Sequence, residues 1–156
     1  MARFASGTDV SVEKSRAEIE GLIVRYGATS TAFMNAPGRA MIAFEAKGRR
    51  VMFELPLPDL ADKKFDIDGR GSRRSTEKRH EVWEQACRQK WRALALVIKA
   101  KLEAVESKIT SFEDEFLAHI VMPDGQTVAS HIKPRIAQAY ESGNMLPLLP
   151  PPTTKQ

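Results

Sequence analysis

Between Gly69 and Lys101 the chain carries ten Lys and Arg residues against three Asp and Glu. Guanidinium and ammonium groups at that density do one kind of chemistry unaided. They neutralise phosphate, release its counterions and need not read base identity. Five of the cations, Arg70, Arg73, Arg74, Lys78 and Arg79, lie in or just after Gly69-Arg-Gly-Ser-Arg-Arg-Ser-Thr76, a stretch without a hydrophobic residue. Arg88, Arg92 and Lys99 follow at helical spacing and share one flank of a helix. Arg39, Arg49 and Arg50, from an earlier alternating segment, can add to the same surface. These eleven are the candidate nucleic-acid-binding residues. The alternative is a solvated helix face and a soluble loop, with Glu81 and Glu84 placed to pair with Arg88 or with the loop.

Other constellations are incomplete. Gly69-x-Gly71 resembles part of a phosphate-binding glycine loop but lacks the third glycine or a Gly-Lys-Ser/Thr ending. Glu115 and His119 stand at a metal-ligand spacing without a third ligand. His80 and His131 stand alone. Cys87 faces the expected core, with nothing beside it to lower its pKa. The Glu113-Asp114-Glu115 run has the look of a two-metal nuclease, but the first turn of a helix explains it better. No nucleophile, base and orienting group come together, so the expectation is a protein without a catalytic site, cofactor or metal.

The elements that must position these cations are read from periodicity. Ser11 caps a helix over 12–26, with Val12, Ile19, Leu22, Ile23 and Tyr26 on its apolar stripe and Gly27 as its stop. Period two takes over from Thr29 to Asn35, again from Arg39 with Ala40, Ile42 and Phe44 inward, and again at Val51, Phe53 and Leu55. The turns Ala36-Pro37-Gly38 and Lys47-Gly48 join three strands into a meander that Pro56 and Pro58 end. A polar connection over 59–79 leads into a long helix, 77–107. Its buried stripe runs through Trp83, Cys87, Trp91, Leu94, Ile98, Leu102 and Val105. Thr110-x-x-Glu113 reads as a capping box for a short helix to about Ile120. Residues 121–128 read as a small hairpin around Pro123-Asp124-Gly125. A last helix near 132–142 buries Ile136 and Tyr140. Of the aromatics, Phe33 and Phe65 are the rings expected to be exposed.

The fold class is therefore α+β: N-terminal helix, antiparallel meander, long central helix, short helix, hairpin and C-terminal helix. At 156 residues the chain fits one domain, placed at 1–146 with a mobile basic loop at about 59–79. A proline-rich flexible tail follows at 147–156. Cys87 is the one cysteine, and the longest apolar run, Ala93 to Ile98, is far short of a membrane span. The N-terminal residues lack the apolar stretch of a secretory signal. The expected setting is cytoplasmic, without membrane contact. The charge is uneven: residues 102–142 hold seven Asp and Glu against three Lys and Arg. Either the basic segment meets a polyanion, or the two segments neutralise each other.

Three stretches look familiar together. They are Ser11-Val-Glu-Lys-Ser-Arg-Ala-Glu-Ile-Glu with Arg25-Tyr-Gly-Ala28; Trp83-Glu-Gln-Ala-Cys-Arg-Gln-Lys-Trp-Arg92 running into Val97 to Ser107; and Phe116-Leu-Ala-His-Ile-Val-Met-Pro-Asp-Gly125. Over most of 11–149 the chain resembles small proteins carried by bacterial phages and prophages. That resemblance implies a bacterial cytoplasm and a role in phage genome metabolism or host takeover, and it transfers no site residue. The element order is also loosely similar to the single-strand-annealing recombinase fold, which fixes no function.

The expectation is a nucleic-acid-binding accessory protein of phage replication or recombination. It would bind DNA in preference to RNA, single strands included, without sequence preference. The competing class is an interaction module, an inhibitor or adapter that meets an acidic host protein. Self-association is left open.

Overall fold

Caps and turns decide the elements before packing does. The computed structural model describes residues 5–149. Ser11 accepts the Lys14 N–H at 3.1 Å and starts α1 (Val12–Arg25). Strands β1 (Ser30–Ala36), β2 (Arg39–Ala46) and β3 (Arg49–Pro56) form an antiparallel sheet in sequence order. Lys47 and Gly48 have φ of 55° and 72°. Two successive positive values make the tight turn whose twist matches that of the strands it joins.

The register sets Ile42 opposite Phe33 and Phe53, and Phe44 opposite Thr31 and Val51. Period two then collects Ala40, Ile42, Phe44, Val51, Phe53 and Leu55 on one buried face, as the alternation predicts. α2 (Thr76–Glu106) contains no Gly or Pro and begins where Ser75 accepts the Lys78 N–H at 3.2 Å. Its 31 residues span about 46 Å. α1 and α2 pack together over the sheet, contributing Ile19, Ile23, Trp91, Ala95, Ile98 and Leu102 to one core. α3 (Phe112–Phe116) plugs the end of that core. Phe116 is fully buried and meets Phe44 and Phe53 edge-on at 5.9 and 6.2 Å. Shortening Trp91 or Phe116 to Ala would cost about 3–5 kcal/mol.

The outer edge of β3 is covered at its start, where Val121 N–H donates to the Arg50 carbonyl at 2.8 Å and Val51 bridges Ile120. The sheet face turned away from the helices carries Met34, Met41 and Met52 with Arg39, Glu45 and Arg50. Among the described residues no helix is long and apolar enough to cross a membrane.

Several expectations are corrected. The cap of α3 is Ser111, not Thr110. Ser111 Oγ accepts the Asp114 N–H and donates to the Asp114 carboxylate, so the reciprocal partner is Asp114, not Glu113. The hairpin at 121–128 shrinks to a loop closed by one bridge, Val121 to Thr127. Thr127 then caps α4 (Val128–Ser142), four residues earlier than expected. A start near 132 would have put Pro134 in the first turn, where a missing N–H is harmless. Instead Pro134 sits inside the helix and leaves the Ser130 carbonyl without its helical donor. Ile136 and Tyr140 are 43% and 88% exposed, not buried. Phe65 is buried rather than exposed, and Trp83 is only half-buried. The three prolines at 150–152 lie outside the described residues.

Candidate nucleic-acid interface

The connection from 59 to 79 carries structure of its own. Asp62 accepts the Lys64 N–H at 3.0 Å and starts a 3-10 turn, Lys63–Phe65, that buries Phe65. Asp68 Oδ1 accepts the N–H groups of Arg70 and Ser72 at 2.8 and 2.9 Å. Those bonds, the one from Ser72 foremost, hold its carboxyl below the usual range. Gly71, at φ 81°, completes the bend, and Ile67 bridges Arg73.

Two of the loop cations are clamps. Arg74 Nη1 donates to the carbonyls of Lys64 and Phe65 at 3.1 and 3.2 Å. Arg79 Nη2 donates to the Leu60 carbonyl at 2.6 Å, and its Nε lies 3.0 Å from Asp66 Oδ1. Lys78 pairs with Glu81 at 2.8 Å, and that bond depresses the Glu81 pKa. The side chains of Arg70 and Arg73 are exposed and make no hydrogen bond or ion pair with any described residue.

On α2, the Arg88 guanidinium donates only to the neutral Gln85 Oε1. Arg92 is joined to Glu18 of α1. Lys99 is exposed and unpaired among the described residues. The sheet arginines are all engaged. Arg39 lies 3.6 Å from Glu54, Arg49 donates to Glu113 at 2.7 Å, and Arg50 pairs with Glu45 at 2.9 Å and lowers its pKa. Six of the eleven candidates thus meet carboxylates: Arg39, Arg49, Arg50, Lys78, Arg79 and Arg92. Arg39 and Arg50 also stand on the sheet face away from the helices, so they do not join the α2 flank.

The geometry assembles a different cationic feature that the sequence reading missed. A cleft of about 410 Å³ opens between the start of α1, the first half of α2 and the far end of β1. Arg16 and Arg88 reach it from two helices, Asn35 from β1, and the Trp83 indole forms an apolar wall. Arg16 has no hydrogen bond or ion pair with a described residue, and its guanidinium lies over the rings of Phe33 and Trp91 at 5.2 and 5.6 Å. The spacing of Arg16 places it beside Ile19, Leu22 and Ile23 on the inner side of α1, and that was the available signal. Cys87 borders the same cleft, where burial pushes its thiol pKa up.

The Glu115 and His119 pair does not form a ligand set. Glu115 accepts Lys101 Nζ at 3.0 Å, while His119 stacks on Phe53 at 4.1 Å. Among the described residues no three His, Cys, Asp or Glu side chains gather to hold a metal. Comparison with protein-family models, curated proteins and solved structures gives no match.

Proposed function

We propose that the protein is a nucleic-acid-binding accessory protein that holds DNA through phosphate contacts and without sequence preference, in phage replication or recombination. One observation carries the reading. After the chain folds, Arg70, Arg73, Arg88 and Lys99 make no ion pair with a described residue and, unlike Arg74, are not clamped on backbone carbonyls; Arg88 feels Glu81 only at longer range. By helical phase Arg88 and Lys99 lie on one flank of α2, and the segment bearing Arg70 and Arg73 leads into the start of that helix. Bringing those charges to a phosphate breaks no ion pair, whereas recruiting Arg39, Arg49 or Arg50 would. A binding titration with single- and double-stranded DNA from low to high salt tests it. Binding at low salt that falls steeply as salt rises is expected. No binding of either DNA at low salt would remove the proposal.

The competing reading, a protein-interaction module, is favoured by α4. Only Val128 of that helix is buried, while Ile136 and Tyr140 stand exposed on the same side. A partner captured from bacterial lysate after nuclease treatment would favour that class.

A further inference from the structure

The cleft between α1 and α2 calls for a ligand of mixed chemistry. Arg16 is half-buried, and its five N–H donors meet no acceptor among the described residues. The rings of Phe33 and Trp91 hold its charge electrostatically without neutralising it or satisfying those donors. Arg88 spends its Nε and one terminal nitrogen on Gln85 and keeps the other terminal nitrogen free. Two guanidinium groups on one concave surface suit an anion with several acceptor oxygens better than a single carboxylate, since each presents a planar fork. Trp83 supplies a flat apolar wall, held in place by its indole N–H, which donates to the Pro58 carbonyl at 2.7 Å. Glu13 and Glu84 also border the cleft. They balance the two arginines, which disfavours a polyphosphate and favours a ligand with hydrogen-bond donors next to its anion. The volume of about 410 Å³ falls at the small-molecule end of ligand sites.

We infer that this cleft binds one nucleoside phosphate unit, with its phosphate on Arg16 and Arg88 and its base against the Trp83 indole. The unit is either a free nucleotide or one residue of a single strand. The second source rests on the nucleic-acid reading above, and the first does not. Asn35 and the two carboxylates are then placed to receive sugar hydroxyls or base N–H groups. Stacking on one indole with phosphate held by arginine is the arrangement by which single strands are gripped without sequence preference.

Trp83 and Trp91 are the only two tryptophans and both border the cleft, so intrinsic fluorescence reports on its occupant. The probes are thymidine monophosphate, thymidine, inorganic phosphate and a short oligothymidylate. Saturable quenching by thymidine monophosphate is expected at concentrations where thymidine or phosphate alone give little. Arg88→Gln should weaken it at least tenfold and Arg16→Gln by more. Should Arg16→Gln fail to fold by circular dichroism, Arg88→Gln decides, since its side chain bonds only to its helical neighbour. Lys133→Gln, on α4, should leave quenching intact. Equal responses to phosphate and to thymidine monophosphate would overturn the base contact, and quenching unchanged by Arg88→Gln would overturn the site. Oligothymidylate binding without a thymidine monophosphate response sinks the cleft and leaves the nucleic-acid reading standing. A thymidine monophosphate response without oligothymidylate binding keeps the cleft as a free-nucleotide site and removes its single-strand occupant. Silence from both removes the cleft.

Discussion

His119 is the side chain whose protonation the fold resists most plainly. Its ring lies flat on Phe53, and burial, then the charge of Lys101, pushes its pKa below 6.5. In the folded chain it binds fewer protons than in the unfolded one wherever the pH lies between the two pKa values. Its contribution is therefore complete above about pH 6.5 and is lost as pH falls through the lower, folded value. Denaturant titrations of wild type and His119→Phe across that range should differ. The variant keeps the stack and lacks the proton, so its stability should fall less between neutral pH and the onset of carboxylate titration. Parallel pH profiles would show that His119 is solvated enough to titrate freely. Ser15 makes the converse case. It is fully buried on α1, and its hydroxyl has no partner among the described residues. An unmet hydroxyl costs about 1–3 kcal/mol, and Ala is the better helix former. Ser15→Ala should raise the unfolding midpoint by the equivalent of about 1 kcal/mol, and a lower midpoint would mean the hydroxyl has an acceptor.

Elements were legible where a period or a cap repeats over several turns. The α1 stripe, the inward alternation of Ala40, Ile42 and Phe44, and the α2 stripe through Trp91, Ile98 and Leu102 could all be read because burial imposes one spacing along a whole element. Legibility failed where one residue sets the outcome. Thr110 and Ser111 both offer a hydroxyl, and only the geometry of Asp114 decides between them. Polar composition alone predicts a loop without order of its own, yet a single buried Phe65 and the carboxylates of Asp66 and Asp68 organise it. Pairing of Arg49 with Glu113, 64 residues apart, has no local signature at all. The same gap hid the cleft, whose arginines come from different helices. Asp68→Ala tests the loop at its own scale. Removing the acceptor for two backbone N–H groups, worth about 1 kcal/mol each, should let residues 69–73 open more often. Trypsin cleavage after Arg70 or Arg73 should then quicken by roughly thirtyfold, since every 1.4 kcal/mol is tenfold, while the global unfolding midpoint hardly moves. An unchanged cleavage rate would mean that Asp68 does not hold the loop.

Across the whole molecule the formal charge of +4 predicts less than the distribution of charges that are still free. Six of the eleven candidate cations are matched by carboxylates, and most of those pairs are exposed. Such pairs are worth about 0–1 kcal/mol in water, so phosphate can displace them, but each displacement returns a counterion to the freed carboxylate. The net number of counterions released should therefore follow the unpaired set: Arg70, Arg73, Arg88 and Lys99. Four phosphate contacts give a slope of log affinity against log salt of roughly −3 for a single strand, and a fifth at Arg16, where the strand also occupies the cleft, steepens it to about −3.5. Replacing Arg70 and Arg73 together by Gln should flatten that slope by between one and two, whereas replacing Arg39 and Arg50 should leave it unchanged, because the sheet separates them from α2 and each already has its carboxylate. Were the sheet pair to flatten the slope as much as the loop pair, the strand would cross the methionine-bearing face of the sheet, and α2 would not be its track.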